Sequence, residues 1–133
     1  NIGIGVAALT SNTLGNRNIA IGNDALKSST NKSYNIGIGE SALKNNTVGE
    51  YNIAVGSNSM ENNSGSRNNV LGTFSLRNNT SGSDNTAIGY EVLYSNTTGY
   101  SNFAGGYHSL FSNTIGGGNI GIGHEALTLH HRK

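Results

Sequence analysis

Aliphatic residues recur along this chain with a fixed spacing of 17 residues, interrupted by one step of 16. When the sequence is written in lines that each begin at an asparagine, two aliphatic columns appear. Ile21 and Ile38 belong to the first column, and Leu26 and Leu43 belong to the second. We number each line from place zero, so that these columns are places three and eight. A fixed period of this length is typical of solenoids, in which equivalent units stack into one continuous core.

The repeat divides the chain into eight lines, called rungs below. The repetitive domain is predicted over residues 1–127, and a non-repetitive end, which departs from the consensus, over 128–133. Seventeen residues are too few for two helices with their turns, but they suffice for one rung of a β-solenoid. The rungs start at Asn1, Asn18, Asn35, Asn52, Asn68, Asn85, Asn102 and Asn119.

Alternation of β-branched and small residues at places zero to four, as in Ile19, Ala20 and Ile21, predicts a short strand in each rung. Because bulky aliphatic residues are usually buried, we expect places one and three to face the core and the small residues of place two to face sister chains or another layer of the roll. A second short strand is predicted through places seven to ten, followed by a return loop. The predicted fold class is all-β, a parallel β-solenoid of about eight 17-residue rungs.

Asparagine and glycine occupy fixed places in these rungs. Stacked parallel strands lie roughly 4.8 Å apart, so the asparagines of place zero can bond from rung to rung as a ladder that satisfies buried polar groups. Return loops such as 46–49 carry Asn where it can bond its own backbone and Gly where we expect a positive φ. The ladder is predicted at Asn18, Asn35, Asn52, Asn68, Asn85, Asn102 and Asn119. At place four, glycine is predicted to supply a corner dihedral or a close backbone approach at Gly22, Gly39, Gly56, Gly72, Gly89, Gly106 and Gly123.

Composition excludes several classes of function. Asn, Gly, Ser and Thr make up about half of the chain, and it holds no cysteine and no proline. A disulfide framework or a thiolate metal site is therefore excluded, and the scattered carboxylates do not form a calcium-binding array. A net charge of +1 is too small to indicate nucleic-acid binding. No apolar run is long enough for membrane insertion. We expect no cofactor and no bound metal.

The rung Asn85 to Ser101, with its segment Asn85-Thr86-Ala87-Ile88-Gly89, resembles the head repeats of YadA-like trimeric autotransporter adhesins. It is also similar to the Asn-Thr-Ala-x-Gly repeats of phage tail-fibre and bacterial surface proteins, which often end in a self-cleaving chaperone domain. The resemblance covers residues 1 to about 127. It implies a left-handed β-roll with three chains assembled about one axis. Two features depart from the family: the period is longer than in the best-known adhesin heads, and no neck, stalk, anchor or chaperone sequence is present.

Aromatic side chains cluster in the second half of the chain and are the candidate binding surface. Exposed tyrosine on a rigid scaffold supplies contact area and a hydroxyl at low entropy cost. The alternative is stacking between rungs or between chains, which would cover the loops. Tyr34 and Tyr51 lie apart from this cluster in the sequence. The candidate surface consists of Phe74, Tyr90, Tyr94, Tyr100, Tyr107 and Phe111.

Catalytic and metal sites are disfavoured by the same repeat. Glu91 and Glu125 share place six two rungs apart, with His108 between them, which invites comparison with the paired acids of a polysaccharide-degrading spike. That place also carries Ala, Ser, Asn and Phe in other rungs, as a solvent-facing position would. Histidines at His108, at His124 and at 130–131 are expected to be exposed and without a metal. An ice-binding surface ranks last, because it needs a flat lattice of threonine and here Thr lies mainly in return loops.

These observations predict a structural protein and not an enzyme. We expect an extracellular segment on a bacterial cell surface or a phage-like particle, part of a trimeric adhesin or tail fibre. It would project, or itself form, a receptor-binding surface. The alternative is a module that binds a host-surface glycan or matrix protein through the aromatic loops. The expected partners are two further copies of the chain and a host-surface glycan or protein.

Overall fold

A computed structural model describes residues 1–128, which form one parallel sheet of eight short strands. Each strand spans places one to three of its rung, and each pairs only with the strands of the neighbouring rungs, in sequence order. The register follows the repeat, with Ile19 opposite Ile36, and the 16-residue step places Ile53 opposite Asn69. The strands are β1 (Ile2–Ile4), β2 (Ile19–Ile21), β3 (Ile36–Ile38), β4 (Ile53–Val55), β5 (Asn69–Leu71), β6 (Thr86–Ile88), β7 (Phe103–Gly105) and β8 (Ile120–Ile122).

The fold class predicted from the repeat is confirmed at this level. Residues 1–128 contain no helix, and the parallel strands wind as a β-solenoid of about seven turns with a spacing of about 17 residues. Accordingly, none of these residues belongs to a helix that could cross a membrane. Apart from Thr128, the non-repetitive end predicted at 128–133 lies outside the described residues, and so do His130 and His131.

The strands face the opposite way from the prediction. Ala20 at place two is fully buried, whereas Ile19 and Ile21 at places one and three are only half-buried, and Ile4 is 59% exposed. The interior is narrow at place two, because a Cβ added to Gly37 would lie 3.3 Å from Cγ of Leu26, and Val70 is the largest residue buried at this place. The alternation was predicted correctly, but the small residues face the core and the bulky ones face outward.

The core is a single column of large side chains with small residues around it. Place eight supplies this column, and its members are fully buried in the central rungs, as place eight was predicted to be. Small residues of places two and seven fill the rest, for example Ala54 and Ser59. The column consists of Leu26, Leu43, Met60, Leu76, Leu93 and Leu110.

The second strand predicted through places seven to ten is wrong. In its place each rung makes consecutive tight turns, shown in rung two by hydrogen bonds from Ala25 to Gly22, from Lys27 to Asp24 and from Ser29 to Leu26. Asp24 and Leu26 have φ of 58° and 51°, in the left-handed region that residues other than glycine rarely adopt. Places six and eight have this conformation in every rung, and it folds the chain sharply enough to bring Leu26 back over the sheet.

Glycine at place four meets both demands predicted for it. Gly39 has a φ of 129°, and a Cβ added there would lie 2.6 Å from the carbonyl of Gly56 in the next rung. The same arrangement recurs between most neighbouring rungs. A side chain at this corner would force adjacent rungs apart.

Asparagines of place zero form a continuous ladder along the solenoid. Oδ1 of each accepts from the backbone N–H of the next at 2.9 to 3.1 Å, from Asn1 through to Asn119. Nδ2 of Asn85 also donates to the carbonyl of Gly99 at 2.9 Å, which joins the start of the rung to its end. The ladder residues from Asn18 to Asn102 are buried, so these bonds satisfy polar groups that water does not reach.

A second asparagine ladder runs at place eleven, where the sequence analysis expected only local loop bonds. Asn79, Asn96 and Asn113 each donate through Nδ2 to the preceding asparagine at 2.7 to 2.9 Å. The recurrence of asparagine at this place was the signal that could have revealed the ladder. Glycine in the return loops does not have the expected positive φ. At Gly49 an added Cβ would instead lie 2.1 Å from the carbonyl of Gly65.

Candidate functional site

The outward side chains of β1 to β8 form an apolar strip along one face of the solenoid. Two columns of Ile, Val, Leu and Phe run along it, and only Asn69, Thr86 and Gly105 interrupt them. No residue of the strip carries a charge. In the middle of the solenoid Leu71 is 55% exposed and Ile88 46%, so the exposure is not confined to the ends. A continuous apolar and uncharged surface of this kind marks an interaction site.

A shallow groove lies within the strip. Its volume is about 310 Å³. It crosses three neighbouring strands at the point where Asn69 and Thr86 replace larger aliphatic side chains. The groove is lined by Ile53, Val55, Asn69, Val70, Leu71, Thr86 and Ile88.

Stacking between rungs brings most of the candidate aromatic residues together. The rings of Tyr90 and Tyr107 are parallel, with centroids 5.8 Å apart, and Tyr107 stacks on His124 at 5.1 Å. Tyr94 and Phe111 form a second parallel pair at 5.2 Å. Because residues at the same place of successive rungs lie one strand spacing apart, the repeat positions each ring over the next.

This stacking determines what the aromatic residues can contact. Parallel stacking covers part of each ring face within a column. Tyr90 and Tyr107 nevertheless remain 42% and 44% exposed, so both are accessible to a partner. A sugar ring that packs on an aromatic face would compete with the neighbouring ring for that face. The arrangement suits hydrogen bonding to a partner better than stacking with one.

Two of the candidate aromatics lie at the margins of this cluster. Phe74 meets Tyr90 edge to face at 6.0 Å and lies beneath the guanidinium of Arg77. Arg77 in turn donates to Glu61 at 2.8 Å, and this bond raises its pKa. Tyr100 is not stacked with the other candidates; it is 60% exposed and covers the backbone of Gly117. The structure therefore joins five of the six predicted residues and leaves Tyr100 apart.

The Glu91, His108 and Glu125 column contains a close acid–imidazole contact. Nε2 of His108 lies 2.6 Å from Oε2 of Glu91, although the contact lacks the alignment of a hydrogen bond. The His108 ring packs between Tyr107 at 3.8 Å and Phe111 at 4.8 Å, so His108 is half-buried and not exposed as predicted. A hydrogen bond with Glu91 raises the pKa of Tyr90. Among residues 1–128 no three His, Cys, Asp or Glu side chains are arranged to hold a metal ion.

A further polar column lies at the last place of the rungs, where the sequence analysis saw only isolated tyrosines. Tyr34 and Tyr51 stack at 4.7 Å, and the guanidinium of Arg17 lies 5.1 Å from the Tyr34 ring. Arg67 forms a two-pronged ion pair with Asp84, at 2.7 and 2.9 Å. Counting along the repeat places these residues in one column, which is the signal that could have revealed it.

Comparisons with known proteins add no further constraint. Neither a family model, nor a curated protein, nor a solved structure matches this chain.

Proposed function

We propose that this chain is a structural segment of a trimeric surface adhesin or phage-like tail fibre, and that it has no enzymatic activity. Three copies pack side by side about one axis, with the apolar strip of each facing the other two. The left-handed winding and the threefold assembly implied by the resemblance belong to this proposal, as does an extracellular location.

The observation that carries the proposal is the apolar strip. A single chain leaves large aliphatic side chains of β1, β4, β5, β6 and β8 exposed to water, while its own core is filled by the column of place eight. Burying apolar surface stabilises by roughly 25 cal/mol per Å², so association through the strip is strongly favoured. Packing three narrow solenoids together adds a shared apolar interface to the core that each chain already has.

The two asparagine ladders support a mechanical role. They hold every rung to the next through bonds between buried amides. Such a shaft carries load and resists proteases without any reactive group. It can hold a receptor-binding region at a distance from the particle or cell that bears it.

A binding module remains the second candidate, favoured by the exposure of Tyr90 and Tyr107. Their hydroxyl groups can bond a host-surface glycan or a matrix protein from the side of the fibre. This function is compatible with the structural one, because the aromatic columns and the apolar strip involve different places of the rung.

Sedimentation equilibrium of the 133-residue chain tests the main proposal. We expect a trimer, and we expect Leu71→Lys to weaken it, because a lysine in the strip would carry a charge into the interface. Leu14→Lys is the matched control, since Leu14 is 74% exposed and lies in a return loop away from the strip. A wild-type chain that remains monomeric would contradict the proposal.

A further inference from the structure

Neither backbone conformation nor packing within the single chain requires glycine at position 105. It occupies place three of β7, where the strands on either side carry Ile88 and Ile122. Its φ lies outside the left-handed region, and an added Cβ would meet no heavy atom within 4 Å. In this respect it differs from Gly106, whose added Cβ would lie 2.5 Å from the carbonyl of Gly123.

The same strand carries a second exception to the pattern of the strip. Phe103 at place one is the only aromatic residue that β1 to β8 direct outward, and it is 42% exposed. Its ring does not cover Gly105, because no atom of it lies within 4 Å of the added Cβ. One strand therefore has an oversized side chain at one outward place and none at the other.

We infer that Phe103 of one copy fills the space above Gly105 of the next copy, and that this contact fixes the axial register of the assembly. The inference rests on the proposed threefold packing. About a threefold axis each contact is heterologous, so place one of one chain meets place three of its neighbour at the same level. Phenylalanine against glycine then takes the place of the aliphatic pairs that most other rungs present.

A second copy is the occupant that the observations favour. The strip carries no charge, as expected for the centre of an interface. Eight large hydrophobic side chains of the strip are exposed in the single chain, so packing against a second copy removes apolar surface from water. Repetition also creates a need for such a contact, because a strip of near-identical rungs would pack almost equally well after a shift of one rung.

Substitutions at Gly105 and Phe103 test the inference by sedimentation equilibrium. Gly105→Ile restores the aliphatic column and fits the single chain, but it should raise the dissociation constant of the assembly by about tenfold or more, because it collides with the Phe103 ring of the neighbour. Adding Phe103→Ile should restore assembly. Thr86→Ile is the control, since it adds the same side chain to the strip without opposing an aromatic ring.

Cysteine cross-linking supplies a second readout, which remains informative if assembly is only weakened. Chains carrying Phe103→Cys and chains carrying Gly105→Cys, one kind tagged and both refolded together, should form disulfides between the two kinds more readily than within either. Disulfides require Cα atoms within about 7 Å. Equal cross-linking of Phe103→Cys with Ile4→Cys would contradict a fixed register.

The outcomes separate the two proposals. If the wild type is a trimer and Gly105→Ile assembles as tightly, the register contact is wrong and the trimeric fibre stands. If the wild type is monomeric, both are wrong.

Discussion

The side-chain amide of Asn46 makes two hydrogen bonds to the backbone of Gly49. Nδ2 of Asn46 donates to the Gly49 carbonyl at 2.9 Å, and Oδ1 accepts from the Gly49 N–H at 3.0 Å. A Cβ on Gly49 would lie 2.6 Å from that Oδ1 and 2.1 Å from the carbonyl oxygen of Gly65, so the asparagine of place eleven and the next rung together exclude a side chain at the return-loop glycine. Rung two departs at both places together, with Ser29 and Lys32. The shorter serine removes the first of these two obstacles for the Cβ of Lys32.

Restoring this pair in rung two should stabilise the protein. The double variant Ser29→Asn with Lys32→Gly should raise the free energy of unfolding by about 1 kcal/mol, through new hydrogen bonds that join the interrupted ladder. Ser29→Asn alone should lower it, since the new amide meets the Lys32 side chain. Urea unfolding of the double variant and both single variants measures the coupling, and additive effects would refute the link between the two places.

Removing one asparagine side chain from the place-zero ladder should destabilise the protein. Asn85→Ala removes the acceptor of the buried backbone N–H of Asn102, whereas the carbonyl of Gly99 keeps its hydrogen bond from Asn96. An unsatisfied buried group costs about 1–3 kcal/mol, so we expect a loss of that size in unfolding free energy. Asn31→Ala, at an exposed loop place, should change it by less than about 0.5 kcal/mol.

Two adjacent glycines should respond oppositely to alanine. Gly106→Ala adds a Cβ to a backbone with a φ of 115° and against the next rung, and we expect a loss of about 3 kcal/mol or more. In the Phe103→Ile background, where no aromatic ring of a neighbouring copy opposes it, Gly105→Ala adds the Cβ to open space in a strand, where alanine is favoured by about 0.5–1 kcal/mol. Thermal unfolding of the two variants makes the comparison, and similar losses in both would show that the rungs are packed differently from this structure.

Acid should remove one of the surface contributions to stability. Hydrogen bonds from Lys44 and Lys27 lower the pKa of Asp24 below its ordinary value of 3.8. A carboxyl whose pKa is lower in the folded state stabilises the protein above the unfolded pKa, and this contribution is lost as pH falls through the folded pKa. Asp24→Asn should therefore lower the unfolding midpoint slightly at neutral pH and not in strong acid. High salt should reduce the difference, and an effect that grew toward low pH would contradict this account.

Stacking between Tyr94 and Phe111 should contribute about 0.5–1.5 kcal/mol to stability. A double-mutant cycle with Tyr94→Ala and Phe111→Ala measures the coupling between the two rings, and Tyr100→Ala is the control. The same variants, with Tyr90→Ala and Tyr107→Ala, can be screened for binding to host glycans and matrix proteins. Loss of binding at Tyr90 and Tyr107 would favour the binding module over a purely structural role.

The repeat was sufficient to predict the parallel solenoid but not which side of the strand faces inward. Alternation shows that Ile19 and Ile21 share one face and Ala20 takes the other. The assignment of faces depends on the width of the interior, which is set by how closely Leu26 is folded over the sheet. That folding requires Leu26 in a left-handed conformation, and no residue preference predicts this for leucine. The repeat identified which residues share a column. It did not give the distance between the sheet and the column of place eight.

The candidate site was predicted in part for the same reason. Aligned places were enough to group Tyr90 with Tyr107, because residues one rung apart lie one strand spacing apart. The contact of His108 with Phe111, which joins places six and nine, depends on the path of the tight turns. The apolar strip was not predicted, because the side chains that form it, such as Ile88, were assigned to the core.

Hydrogen bonding between successive rungs also sets how such a protein can vary in size. Each rung satisfies its polar groups against the two beside it, so inserting or deleting a whole unit leaves every other unit in its original surroundings. Seventeen residues add about 4.8 Å along the axis, roughly a twelfth of their extended span. A gene that duplicates this unit lengthens the rod in small, regular increments, while a partial unit would disrupt both ladders at once. The single 16-residue rung shows where the exception is tolerated: it shortens the return loop before Gly65 and leaves both asparagines of that rung, Asn52 and Asn63, bonded to its carbonyl.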